Sequence, residues 1–151
     1  MQVDLPACKA LDCYRCPSDC LFFFSCPNLQ ILDWTLQEDA HVSDRTVLKL
    51  RDFLLSCPHL QNFSISISRS SAPDALIHFV FCDAWEWKVW QDIRSVLVGV
   101  RCSSGFMDRQ RFVTQMIGWK KYYEKWWDVF TISEQEGFSS TVDLRASMGN
   151  E

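Results

Sequence analysis

Apolar positions in the first half of the chain fall into three recurring phrases. Residues 5–13, 26–34 and 57–65 align without gaps, and Pro6, Pro27 and Pro58 superpose at separations of 21 and 31 residues. Three columns hold apolar or thiol side chains: Cys8/Leu29/Leu60, Leu11/Leu32/Phe63 and Cys13/Trp34/Ile65. The column Ala10/Ile31/Asn62 is mixed. A spacing of Leu-x-x-Leu-x-Leu places apolar groups on one side of a short strand, and a return segment lets the next strand pair in parallel. That return segment is legible between Trp34 and Cys57. Ser43 and Asp44 are N-cap candidates, and Val47, Leu50, Phe53 and Leu54 follow at helical spacing, with Leu48 and Leu55 widening the face. Arg45, Lys49, Arg51 and Asp52 take the other side, and Pro58 stops the helix.

The second half has a different rhythm. Residues 64–68 alternate as a half-buried strand, and residues 76–81 suit a further strand or a short buried helix. From Asp83, the spacing of Trp85, Val89, Ile93, Val96 or Leu97, and Val100 predicts a helix. A second, longer helix is expected from about Met107 to Phe130, burying Phe112, Val113, Met116, Ile117, Tyr123, Trp127 and Phe130. Six of the seven tryptophans lie in this half, where residues 119–127 interleave aromatic and basic groups. The polar residues 133–151 lack a period and are expected to be flexible.

The phrases Cys-Pro-Asn-Leu-Gln-Ile-Leu-Asp-Trp and Leu-Leu-Ser-Cys-Pro-His-Leu-Gln-Asn-Phe-Ser-Ile resemble leucine-rich repeats of the cysteine-containing type. They are similar to the C-terminal regions of F-box proteins, fungal ones included, over about residues 5–67. The resemblance implies repeats that bind a protein substrate while a separate F-box recruits a ubiquitin-ligase scaffold. Leu5-Pro6 matches the opening dipeptide of an F-box, but the residues that follow do not continue it. The expected fold is therefore α/β: a short leucine-rich-repeat-like parallel sheet with outer helices, capped by a C-terminal aromatic-rich helical pair. Residues 1–132 form one domain in this reading, with 5–82 repeat-like and 83–132 the helical cap.

Composition narrows the function. The chain has 151 residues, of which 48% are hydrophobic, and a net charge of −4, which suits a single folded domain and excludes a strongly basic nucleic-acid binder. The charge is uneven, at +3 over residues 84–130 and −7 elsewhere. No apolar run approaches the ~18 residues of a membrane span. No secretory segment is evident, so a cytoplasmic or nuclear location is expected and the eight cysteines read as thiols or metal ligands.

Cys13-x-x-Cys16 with Cys20 and Cys26 is the metal alternative, although no second ligand pair stands at the usual spacing and His41 is the nearest histidine. Cys8 and Cys13 instead fit core columns, as do Cys26 and Cys57. The Trp/Lys-rich segment suggests a nucleic-acid alternative through stacking, which the negative overall charge disfavours. Catalytic motifs are missing: no Gly-rich phosphate loop, no His-Glu-x-x-His and no Gly-x-Ser-x-Gly, while His41, His59 and His78 stand apart in sequence. The expectation is a non-catalytic protein-interaction module without a cofactor. Its candidate contacts are Gln30, Asp33, Gln61 and Ser64 on the strands, with Tyr122 and Trp126 on the aromatic helix.

Overall fold

A computed structural model describes residues 2–16, 20–36, 42–68, 74–101, 106–135 and 139–146. In chain order the elements are β1 Val3–Asp4, β2 Ala10–Cys16, a 3-10 turn Cys20–Phe23, β3 Phe24–Ser25, β4 Ile31–Leu36 and α1 Asp44–Leu55. They continue with β5 Asn62–Ser68, α2 Asp74–His78, a π turn Phe79–Asp83, α3 Ala84–Glu86 and β6 Ser95–Arg101. The last are α4 Phe106–Tyr123, β7 Trp127–Gln135 and β8 Ser139–Ala146.

The fold is mixed α/β around a mostly parallel six-stranded sheet in the order β2-β4-β5-β6-β8-β7, with β1 and β3 pairing separately. The parallel register joins Leu11 to Leu32 to Phe63, and Cys13 to Trp34 to Ile65, the columns of the ungapped alignment. These side chains enter one core, as do Leu29 and Leu60. The same turn recurs before successive strands. The amides of Cys8, Leu29 and Leu60 bond back to the carbonyls of Leu5, Cys26 and Cys57 at 3.1–3.2 Å.

A fourth strand joins this series. Ile65 pairs with Val98 and Phe63 with Val96, so Ile93, Val96 and Val98 repeat the spacing of Leu60, Phe63 and Ile65. This corrects the helix expected through Val100. Val96, Val98 and Val100 are all buried while Leu97 faces out, the two-residue alternation of a strand. Their β-branched side chains suit the pleat better than a helical turn. The preceding helix ends at Trp87, and Lys88 takes a left-handed conformation (φ 59°) that turns the chain away.

α1 starts where the sequence indicates. Ser43 Oγ accepts the Thr46 amide at 3.3 Å, and Thr46 Oγ1 accepts the Ser43 amide at 3.3 Å, a reciprocal cap. Val47, Leu50, Phe53 and Leu54 are buried, whereas Leu48 and Leu55 are exposed rather than part of the buried face.

The expected aromatic helical pair and polar tail are corrected at three points. α4 ends at Tyr123, and Trp127 to Gln135 form a strand instead of the last helical turns. Within α4, Phe112, Met116 and Tyr123 are buried but Ile117 is exposed. Residues 139–146 form β8, which lies between β6 and β7 and buries Val142, Leu144 and Ala146 in the core. Alternation of Ser140, Val142, Leu144 and Ala146 gives β8 a complete inward face despite its polar outer residues. Among the described residues, no helix is long and apolar enough to cross a membrane.

Candidate functional site

Two places in the fold gather chemistry. The first is the outer face of the sheet, opposite the buried valines and leucines. One row of paired residues crosses all six strands: Asp12, Asp33, Ser64, Leu97, Asp143 and Thr131. Asp33 and Ser64 thus stand side by side on this face. Tyr14, Ile31 and Leu97 are its exposed apolar members, with Tyr14 65% accessible. Arg145 lies 3.5 Å from Asp143, near the antiparallel end. At the other end Asp12 and Asp33 face each other across parallel strands. Burial pushes the Asp33 carboxyl up from its usual range, and the neighbouring charge of Asp12 adds to the shift.

Gln30 and Gln61 are placed differently from the outward strand positions expected. Each precedes its strand, and its carbonyl accepts two successive amides from the next repeat. Gln30 accepts Gln61 and Asn62 at 2.8 and 3.0 Å, and Gln61 accepts Arg94 and Ser95 at 2.7 and 3.2 Å. This bulge-like sharing interrupts the alternation, so Ile31 and Asn62 occupy the outward row instead. Both glutamine side chains are half-buried.

Tyr122 and Trp126 belong to neither row. They sit at the end of α4, with ring centroids 5.9 Å apart in an edge-to-face arrangement. Lys125 Nζ lies 4.0 Å over the Trp126 ring and 5.1 Å over that of Tyr122. The ammonium therefore occupies a ring face that a stacking base would need.

The cysteines do not gather as a Cys13–Cys16–Cys20–Cys26 site. Cys13, Cys20 and Cys26 fail to bring their sulfurs together, and the Cys16 side chain lies outside the described residues. The physical reason is topological: Cys13 points from β2 into the core, Cys20 opens the 3-10 turn, and Cys26 begins the next repeat. Cys26 instead meets Cys8 and Cys57, and the Cys57 thiol donates to the Cys26 carbonyl at 3.3 Å. Burial, followed by Cys8, pushes the Cys26 thiol up to about 11.

The second place is the π turn. An i→i+5 turn brings residue 83 over residue 78, where an α-helix would leave it about two-fifths of a turn away. The turn is marked by the Ala84 amide bonding to the Phe79 carbonyl. Two indoles hold it from outside: Trp90 Nε1 donates to the Val80 carbonyl and Trp127 Nε1 to the Phe81 carbonyl, both at 3.0 Å. As a result His78, Cys82 and Asp83 present donor atoms within 4.8 Å of one another, the one such group among the described residues. His78 Nε2 is 3.3 Å from Asp83 Oδ1, and its Nδ1 bonds to the Tyr123 hydroxyl. The Cys82 thiol donates towards Glu86 Oε1 at 3.6 Å.

Sequence reading missed this cluster because His78 and Cys82 each look isolated until the π turn aligns them. The spacing His-x-x-x-Cys-Asp-x-x-Glu was the available signal. The arrangement does not suit nucleophilic catalysis. Burial, then the Glu86 carboxylate, pushes the Cys82 thiol up to about 11, so it is protonated near neutrality. Both ring nitrogens of His78 are engaged with other partners.

No family model matches the chain, and no curated protein matches it either.

Proposed function

We propose that this chain is a non-catalytic recognition module of the leucine-rich-repeat type, which binds a basic segment of a protein partner on the open face of its sheet. The observation that carries this reading is the Asp12–Asp33 pair. Two carboxylates lie on adjacent strands, Asp33 is partly desolvated, and no lysine or arginine faces either among the described ion pairs. A partner's lysine or arginine relieves that like-charge contact, while Ile31 and Leu97 supply apolar area beside it. The repeat reading is supported by the register, which reproduces the sequence alignment across three strands and extends it to a fourth. In the F-box proteins whose repeats these phrases resemble, such a face selects the substrate, and we assign the same role here.

The test is affinity purification from a reducing lysate, comparing the wild type with Asp12→Lys/Asp33→Lys and with a control, Lys120→Glu/Lys121→Glu. We expect a partner that the wild type and control retain and the aspartate variant loses, with salt-sensitive binding of a basic peptide from it. Partners retained by the aspartate variant but lost on Trp126→Ala would overturn this assignment and favour the aromatic helix.

A further inference from the structure

We propose that His78, Cys82 and Asp83 form a three-ligand site for a divalent transition ion of the zinc class, with water as the fourth ligand, at the π turn beside α4. The argument begins with spacing. Zinc bonds of about 2.0–2.3 Å at a tetrahedral centre put neighbouring donor atoms about 3.3–3.6 Å apart. His78 Nε2 and Asp83 Oδ1 are separated by 3.3 Å, and Cys82 Sγ and Glu86 Oε1 by 3.6 Å. Each pair is drawn together by its own hydrogen bond or ion pair. His78, Cys82 and Asp83 bring all three donor atoms within 4.8 Å of one another, and Glu86 stands outside that group, against the Cys82 thiol.

The donor chemistry agrees with the spacing. One imidazole nitrogen, one thiolate and one carboxylate oxygen make a mixed N, S, O set suited to zinc or cobalt, and too soft for magnesium or calcium. On binding, the Cys82 S–H bond breaks and a sulfur–metal bond forms; the proton and the ion's displaced waters go to solvent. Access is open from one side, because the His78 side chain is 44% accessible and that of Asp83 is 23%. Cys82 lies at the floor, 1% accessible.

The surroundings also fit. Metal-bound histidines are oriented by a hydrogen bond from their second nitrogen, and such outer partners govern affinity. Tyr123, 45 residues away on α4, makes that bond to His78 Nδ1. The adjacent Tyr122 hydroxyl lies near enough to the Cys82 thiol to favour its ionised form. The two tyrosines therefore reach both a nitrogen and a sulfur donor from a second element. The Trp90 and Trp127 indoles fix the backbone on which the donors stand. The site is separate from the sheet face and independent of the recognition reading.

The experiment uses the full chain, stripped with a chelator and kept reduced by a phosphine, and titrated with cobalt(II). We expect one equivalent to bind, with the intense d–d absorption of a four-coordinate ion and a thiolate charge-transfer band, and zinc to displace it. Cys82→Ser removes the charge-transfer band. Tyr123→Phe changes no donor atom yet weakens binding by about 10–100-fold. Cys8→Ser and Cys20→Ser leave the spectrum unchanged. No cobalt band in the folded wild type, or a thiolate band that survives in Cys82→Ser, overturns the proposal. Should Cys82→Ser fail to fold, His78→Gln decides at a solvent-accessible side chain: a loss of tenfold or more supports the site, and unchanged affinity overturns it.

Discussion

Gly118 stands in the middle of α4 with nothing within 4 Å of where a side chain would begin. Its backbone already adopts the helical conformation that alanine prefers. Gly118→Ala is expected to raise stability by about 0.5–1 kcal/mol, read as a higher urea midpoint with an unchanged slope. The buried thiols set a pH limit. Cys26 and Cys82 are each raised from 9.0 to about 11 in the folded chain, mainly by burial. Below pH 9 both folded and unfolded forms hold these protons, so the thiols leave stability unchanged. Between pH 9 and about 11 the unfolded form loses them first, so stability falls as pH rises. Urea midpoints at pH 8 and 10.5 under reducing conditions should show this drop, and Cys26→Ala/Cys82→Ala should flatten it.

Among the elements, the π turn depends on its two tryptophans. Trp90→Phe or Trp127→Phe keeps most of the ring volume but leaves a buried carbonyl without its indole donor, at an expected cost of about 1–3 kcal/mol. Chemical denaturation measures this, and a loss below about 0.3 kcal/mol in both would show the turn to be self-supporting. The repeated strands were the legible part of the sequence, because Pro6, Pro27 and Pro58 punctuate apolar columns whose spacing leaves one register. The fourth copy was hidden because Gln91 stands where the proline would be, and because Ile93, Val96 and Val100 also satisfy a helical period. β7 was hidden by Trp126-Trp127, which extend the apolar stripe of α4 past its end. Of the candidate site, Asp33 and Ser64 were readable from alternation alone. The His78 cluster was not: its spacing stands in the chain, but nothing there announces the π turn that brings Asp83 beside His78.

At the scale of the whole molecule, a single apolar core runs from Cys13 to Ala146, so distant repeats share their stability. Leu32 is fully buried and Phe63 is 1% accessible, and they pair directly across β4 and β5. Leu32→Ala and Phe63→Ala should each cost about 2–5 kcal/mol, and the double variant should depart from additivity because the two share a cavity. The sheet's closure is equally global. Stopping the chain after Gln135 deletes β8 and exposes the hydrogen-bonding edge of β6, so the shortened chain should aggregate at concentrations where the full one is monodisperse by light scattering. The position of β8 also bears on biosynthesis. The four parallel strands can stack in the order in which they leave the ribosome, each on the one before it. β8 is made after β7 but must settle between it and β6, so that seam stays open until residues 139–146 have emerged. The interval just before residues 139–146 emerge is then when the nascent chain is most exposed to wrong pairing and in greatest need of a chaperone.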